Sequence, residues 1–236
     1  MNVPRAKHEV ESGALGALAP EDLVSRIATA LSEAIIGGRF APGARLNEVH
    51  LAAEIGVSRA PLREAARLLE NRGLVVSQPR RGFFVRDLTA AALDDAYDLR
   101  LCLERHAGLA VCATLTAEMA AALRTQAARI HETRSDPGRQ VEEDFAFHRL
   151  ICALSGNARL LRVYDELTDE MRFGITVIGH LYDDADVIAR THDPVLDALL
   201  SRDGERWCAA IDHHIGVARA HVVKLLAARE SEESKG

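Results

Sequence analysis

Residues 47–85 read NEVHLAAEIGVSRAPLREAARLLENRGLVVSQPRRGFFV, and this stretch decides the fold. Val49, Leu51, Ala52 and Ile55 make a short apolar helix, which Asn47 caps and which runs into a turn at Gly56. A second helix starts at Ser58, a good N-cap, and Pro61 is tolerated in its first turn because the missing N–H goes unused there. Leu62, Ala65, Ala66 and Leu69 recur at helical intervals as a buried stripe. Arg59, Arg63 and Arg67 share a different face, one turn apart each. A helix, a glycine turn and an arginine-bearing helix is the pattern that sets one helix in a DNA major groove. Gly73 then ends the second helix as its C′ residue. Leu74–Val76 and Phe83–Val85 are β-prone runs around the turn Gln78-Pro79-Arg80-Arg81-Gly82. The hairpin is a wing, and the arginines at its tip suit phosphate or minor-groove contact.

Upstream, Leu23, Val24, Ile27, Ala28, Leu31, Ala34 and Ile35 form the buried stripe of a helix over Glu21–Ile36, which Gly37-Gly38 ends. Residues 20–86 therefore read as a winged helix-turn-helix. Residues 1–19 read as a flexible arm, without the basic start and apolar core of a signal peptide. Charge agrees once it is split by position. The chain carries −6 overall, but residues 1–88 hold 12 Lys/Arg against 10 Asp/Glu and the remainder 17 against 25. Residues 56–86 contain seven arginines and only Glu64 and Glu70 in opposition. Locally positive potential is what steering and counterion release require. Cys102, Cys112, Cys152 and Cys208 lie far apart, so buried reduced thiols in a cytoplasmic protein are expected. No apolar run reaches membrane-spanning length.

After a short joint at 87–89 the pattern is purely helical. Six amphipathic helices are expected at roughly 90–113, 116–134, 139–155, 157–181, 185–202 and 204–229, with Thr89, Thr116 and Asn157 as caps. Ser135-Asp136-Pro137-Gly138 is a break, and Pro194 is expected to kink or restart the fifth helix with Asp193 capping the new segment. Residues 230–236 read as a disordered charged tail. The fold class is thus mostly α: an N-terminal winged helix-turn-helix followed by an all-α bundle of six or seven helices over 90–229.

Within the bundle, Asp144 and His148 are four apart and project from one helical face. That is how one helix offers two ligands to a metal, as paired histidines do in zinc proteases. His192 and one of His213 and His214 lie on later helices, and bundle metal sites draw inward-facing ligands from several helices. Three imidazoles and a carboxylate suit zinc, nickel or manganese, with positions left for water or a ligand.

Pro42–Leu46, Leu51-Ala52, Gly56-Val57-Ser58-Arg59-Ala60-Pro61-Leu62-Arg63-Glu64-Ala65, Leu69-Glu70 and Gly73-Leu74 resemble the DNA-binding domain of the GntR family of bacterial transcription regulators. Arg100–Glu104, Asp144–His148, Ser155-Gly156-Asn157, His192 and His214 resemble the FCD-type effector domain of that family's FadR branch, in its metal-binding subtype. The likeness covers residues 20–226. It implies metal ligands at Asp144, His148, His192 and His214, the last two 22 residues apart as in the family. It also implies base contacts from Arg59 and Arg63, helped by Ser58 and the wing. The candidate DNA-contact set is Arg45, Ser58, Arg59, Pro61, Arg63, Arg67, Arg80, Arg81 and Gly82. A third family arginine falls at Val49, so operator preference is expected to differ from that of FadR.

The resemblance further implies a homodimer on pseudo-palindromic operator DNA, acting as a repressor, with a small organic acid as effector. Arg100 is a candidate for the acid's anionic end or, equally, the i+4 ion-pair partner of Glu104. Asn157 is either an effector-side residue behind the metal ligands or a helix cap. Cys152, four past His148, faces the same cavity or simply packs. The metal itself is either sensory or purely structural. A metal-dependent hydrolase is disfavoured, because no carboxylate is evidently placed as a general base.

Overall fold

The computed structural model describes residues 21–178 and 185–233. The arm expected over 1–19 and the last three residues lie outside the described residues. Helix α1 (Glu21–Ile36) has the expected bounds and buries Ile27, Ala28, Leu31 and Ile35 against α3 (Arg59–Asn71). Leu23, expected in that stripe, is exposed instead. Helix α2 (Glu48–Ile55) is capped by Asn47, whose Oδ1 accepts the His50 N–H at 3.2 Å. It buries only Leu51 and Ala52, leaving Val49 and Ile55 on the surface. Gly56 closes it in the left-handed region (φ 76°), where a Cβ would be strained, and so turns the chain into α3. The buried stripe of α3 is the expected one, Leu62, Ala65, Ala66 and Leu69, and Gly73 follows it at φ 80°.

The wing is the antiparallel pair β1 (Val75–Gln78) and β2 (Gly82–Val85), in register Val75↔Val85 to Gln78↔Gly82. Pairing extends one step further toward the tip than the apolar runs indicated. The turn is therefore residues 79–81, with Arg80 held at φ 65°. Arg45 adds an antiparallel bridge to Phe84, so the strand-like entry to α2 lies along the wing.

Among the described residues the bundle has six helices: α4 (Ala90–Thr114), α5 (Ala117–Glu132), α6 (Pro137–Leu154), α7 (Ala158–Ile178), α8 (Ala185–Leu200) and α9 (Gly204–Glu233). Helix α4 is the axis, touching α6, α7, α8 and α9. It runs antiparallel to α9, with Arg219 on Asp94 and Asp98 at one end and the Trp207 Nε1–H donated to the Arg105 carbonyl at the other. Gly108 makes that approach possible. A Cβ there would lie 2.0 Å from the Trp207 ring, which is fully buried.

Three expectations need correction. Residues 230–233 continue α9 instead of fraying, because the Glu230 carboxylate accepts the Ala90 N–H at 2.7 Å and so satisfies a donor at the start of α4. Pro194 neither breaks nor restarts α8, and Asp193 pairs with His131 at 3.1 Å instead of capping. Pro194 and Arg190 are both exposed, so the proline ring lies on the water side of the helix. Of the cysteines, only Cys112 and Cys152 are buried; Cys102 is exposed and Cys208 half-buried. No helix among the described residues is long and apolar enough to cross a membrane.

Candidate functional site

The arginine face of α3 and the wing enclose a cleft of about 510 Å³. Arg45, Arg59, Arg63, Arg67, Arg80, Arg81 and Gly82 all line it, so seven of the nine residues proposed for DNA contact meet at one surface. Ser58 stands at the N-cap position with extended backbone but makes no side-chain cap bond. Pro61 sits in the first turn of α3. Aromatic rings support two of the cations: Arg63 lies 5.4 Å from the Phe83 centroid and Arg81 5.1 Å from that of Phe84. One acidic residue that the sequence reading passed over enters this face. Both Glu48 oxygens lie 2.7 Å from Arg63 Nη1, and Oε2 lies 3.4 Å from Arg59 Nη2. Burial would raise the Glu48 carboxyl, but hydrogen bonds from Arg63 and Arg59 outweigh it and hold the pKa below the usual value.

In the bundle, α6 supplies Asp144 and His148, α8 supplies His192 and α9 supplies His214, with one donor atom from each all within 4.8 Å of one another. His148 Nε2 lies 3.1 Å from His214 Nε2 and 3.2 Å from His192 Nε2, and His192 Nε2 lies 2.8 Å from Asp144 Oδ1. His213 is exposed and faces an outer groove between α8 and α9. The donors are oriented from behind. His148 Nδ1 is 2.6 Å from Glu104 Oε2, and His192 Nδ1 is 2.7 Å from the Ile188 carbonyl. An ionised carboxylate and a carbonyl only accept, so both Nδ1 atoms carry hydrogen and both rings turn Nε2 toward the cluster.

Bare nitrogens this close repel one another unless protons or a cation lie between them. An ion with bonds of about 2.1 Å needs its neighbouring donors about 3.0–3.4 Å apart, and the His148–His214 and His148–His192 separations fall in that range, which suits a divalent metal. The third ring differs: His214 Nδ1 is buried without a partner among the described residues. Burial, then His192 and His148, pushes the His214 pKa well below its ordinary value. Burial also lowers that of His148 by more than Glu104 raises it. Asp144 moves the other way from its burial, because His192, His148 and Arg100 hold it well below the carboxylate range. For Glu104 the same contest, with His148 and Arg100 opposing burial, ends at about 2.

Arg100 is only 3% exposed. Its Nε donates to Glu104 Oε1 at 2.6 Å, while the Tyr97 and Phe145 rings flank it at 5.6 Å each. The ion-pair reading of Arg100 thus holds, yet its two Nη groups have no hydrogen-bond partner among the described residues. They border a cavity of about 10 Å³, room for one water-sized group, walled by Asp144, His214, Thr191, Ile175 and Ile188. Asn157 is not part of this. It is exposed, and its Oδ1 accepts the Arg159 and Leu160 N–H groups at 3.1 Å as the cap of α7, which removes it from the effector-side candidates. Cys152 is fully buried, with its thiol pKa driven up by burial, and packs in the core.

Comparison with known proteins covers both halves of the chain. Residues 23–85 match the model of bacterial regulatory proteins of the gntR family, and residues 95–217, over half the chain, match the FCD domain. This chain belongs to the GntR family. It is 38% identical over 135 residues to the Nta operon transcriptional regulator of Aminobacter aminovorans, covering 57% of this chain and 64% of that one. It is 32% identical over 180 residues to the HTH-type transcriptional regulator YdhC of Bacillus subtilis, covering 74% and 80%. A solved GntR regulator from Rhodococcus sp. RHA1 superposes with a TM-score of 0.72 at 27% identity, over 86% of this chain and 98% of that one. The family is one of DNA-binding transcription regulators, not enzymes.

In this GntR-family member the two halves meet through α7. Asp169 lies 3.9 Å from Arg72, which follows α3, and Thr176 abuts Gly38 after α1. Glu170 approaches Gly73. Ile175, the residue directly before Thr176 on the same helix, walls the cavity beside the histidines.

Proposed function

We propose that the protein is a sequence-specific, homodimeric operator-binding regulator, whose DNA affinity is set by a small carboxylate received beside a metal held by Asp144, His148, His192 and His214. The observation that carries this is the convergence of three Nε2 atoms, two of them locked by partners behind the ring, next to the unengaged Nη groups of Arg100. A bound divalent ion, zinc above nickel or manganese for this ligand set, supplies a positive centre with coordination positions to spare. Arg100 then offers a planar fork to the same anion from the other side. Two copies present two copies of α3 to a pseudo-palindromic site.

The small cavity supports a sensory role. Any ligand larger than water has to displace part of the cavity wall, and that wall includes Ile175 of the helix that touches the DNA-binding half. Such a ligand binds one arrangement of the halves better than the other, which is the condition for shifting an equilibrium. The same smallness favours one rival, a purely structural ion that only braces the bundle.

The test is operator affinity by fluorescence anisotropy for metal-stripped protein, zinc-loaded protein, and zinc-loaded protein with a panel of small organic acids. A shift in affinity with one acid supports sensing. Metal-dependent stability with no acid altering DNA affinity rejects sensing in favour of the structural ion.

A further inference from the structure

We infer that Glu48 is a specificity-determining positioning residue of the DNA-reading face, holding Arg63, and more loosely Arg59, in the orientation that reads guanine. This rests on the operator-binding reading above. Glu48 is the first residue of α2, and its side chain is 12% exposed between α3 and the wing. It engages only one nitrogen of Arg63: both carboxylate oxygens sit on Nη1 at 2.7 Å. The Nε–H and Nη2–H of Arg63, which form the other planar edge of the guanidinium, have no hydrogen-bond partner among the described residues. Guanine offers two acceptors, O6 and N7, in the major groove, and that free edge matches them as a pair.

Three elements fix the clamp. Asn47 caps α2 directly before Glu48, the Phe83 ring of β2 lies beneath Arg63, and Gly82 closes the far side. A Cβ on Gly82 would stand 3.2 Å from Glu48 Oε1, so the wing backbone is packed against the carboxylate. A negative charge on a DNA-binding face works against phosphate attraction and lowers affinity for any duplex. Its physical return is order: an arginine already held in one rotamer loses less freedom on meeting its base. Glu48 therefore exchanges general affinity for discrimination.

The decisive experiment compares wild type, Glu48→Gln and Glu48→Ala on a duplex recovered from a randomised library, on that duplex with its half-site guanines replaced, and on random duplex. In both variants random-duplex affinity rises, while the ratio of selected to random affinity falls about tenfold or more in Glu48→Ala and by less in Glu48→Gln, which keeps one acceptor oxygen. If affinity for all three duplexes rises together at constant ratio, Glu48 is only a repelling charge and the inference is overturned. The arginine guanidinium Nη–H resonances give a second readout. The signal of Arg63, assigned through Arg63→Lys, is shifted and slow to exchange in wild type and loses both properties in Glu48→Ala. An unchanged Arg63 signal also overturns the inference. Should Glu48→Ala fail to fold, the isosteric Glu48→Gln carries both measurements. Arg63→Ala separates the two levels: a ratio unchanged by that substitution sinks the operator reading itself, whatever Glu48 does.

Discussion

His148 Nδ1 lies 2.6 Å from Oε2 of Glu104, a fully buried carboxylate 44 residues away in the chain. The other oxygen of the same carboxylate holds Arg100, so one acidic side chain orients a proposed metal ligand and neutralises the cation beside the cavity. Partners behind metal-bound histidines set tautomer and basicity, and their loss weakens metal binding about 10–100-fold. Glu104→Ala is expected to fall in that range in a competition titration with a chromophoric chelator. It also strands Arg100 in the core, so thermal or urea unfolding should register a loss of about 3–5 kcal/mol. Wild-type metal affinity in this variant would contradict the role given to Glu104.

Gly108 faces Trp207 with no space for a methyl group: the three nearest ring atoms lie 2.0–2.4 Å from an added Cβ. The ring is rigid, fully buried and tied by its N–H to the Arg105 carbonyl, so it has no easy retreat. Gly108→Ala gains helix propensity but overpacks the α4–α9 contact, which costs about 1–3 kcal/mol. Urea unfolding should show a lower midpoint at unchanged slope. Equal or greater stability would mean that the two helices separate more readily than this packing implies.

Much of the architecture was legible because local signals agreed with one another. The bounds of α1, the stripe of α3 and the wing follow from apolar periodicity closed by glycines at Gly37, Gly56 and Gly73. Asp144 and His148 share a face by spacing alone, whereas His214 over His213 needed the family resemblance, since both lie on one helix. What escaped was long-range. The partner of Glu48 is 15 residues on, that of His148 is 44 away and that of Glu230 is 140 away. No period links such pairs, and each forms only when separate helices pack. Pro194 misled for a related reason. Its cost depends on whether the freed carbonyl meets core or water, and local sequence does not say which.

Coupling between the halves is expected to run through α7. The Asp169 carboxyl, its pKa raised by burial although Arg72 opposes this, is the charged contact there, and Ile175 is the cavity wall. Asp169→Asn should leave operator affinity of the ligand-free protein within about twofold. It should shrink the change produced by an active acid, which for coupled sites spans about 5–150-fold. Anisotropy titrations with and without the acid measure both. An undiminished ligand effect would route the coupling elsewhere, with the joint at 87–89 the next place to look.

The arginines divide into two kinds by position. Arg59 and Arg63 lie at the start of α3, where base edges are within reach, and Arg80 and Arg81 lie at the wing tip. Arg63→Ala should cost about 1–3 kcal/mol on the preferred duplex and relax preference at one base position. Arg80→Ala should weaken all duplexes alike and reduce the salt slope of log affinity by about one. Binding isotherms from about 50 to 200 mM salt on matched and mismatched duplexes separate the two behaviours. Uniform weakening by Arg63→Ala would place it among the phosphate contacts.

The most direct test of the whole proposal is selection of full-length protein against a randomised duplex library near physiological salt. The expected pool converges on a two-fold pseudo-palindrome containing guanine in each half-site, and Arg63→Ala loses that consensus. A pool that returns no motif, or one without two-fold symmetry, would contradict a dimer reading operator bases through paired copies of α3.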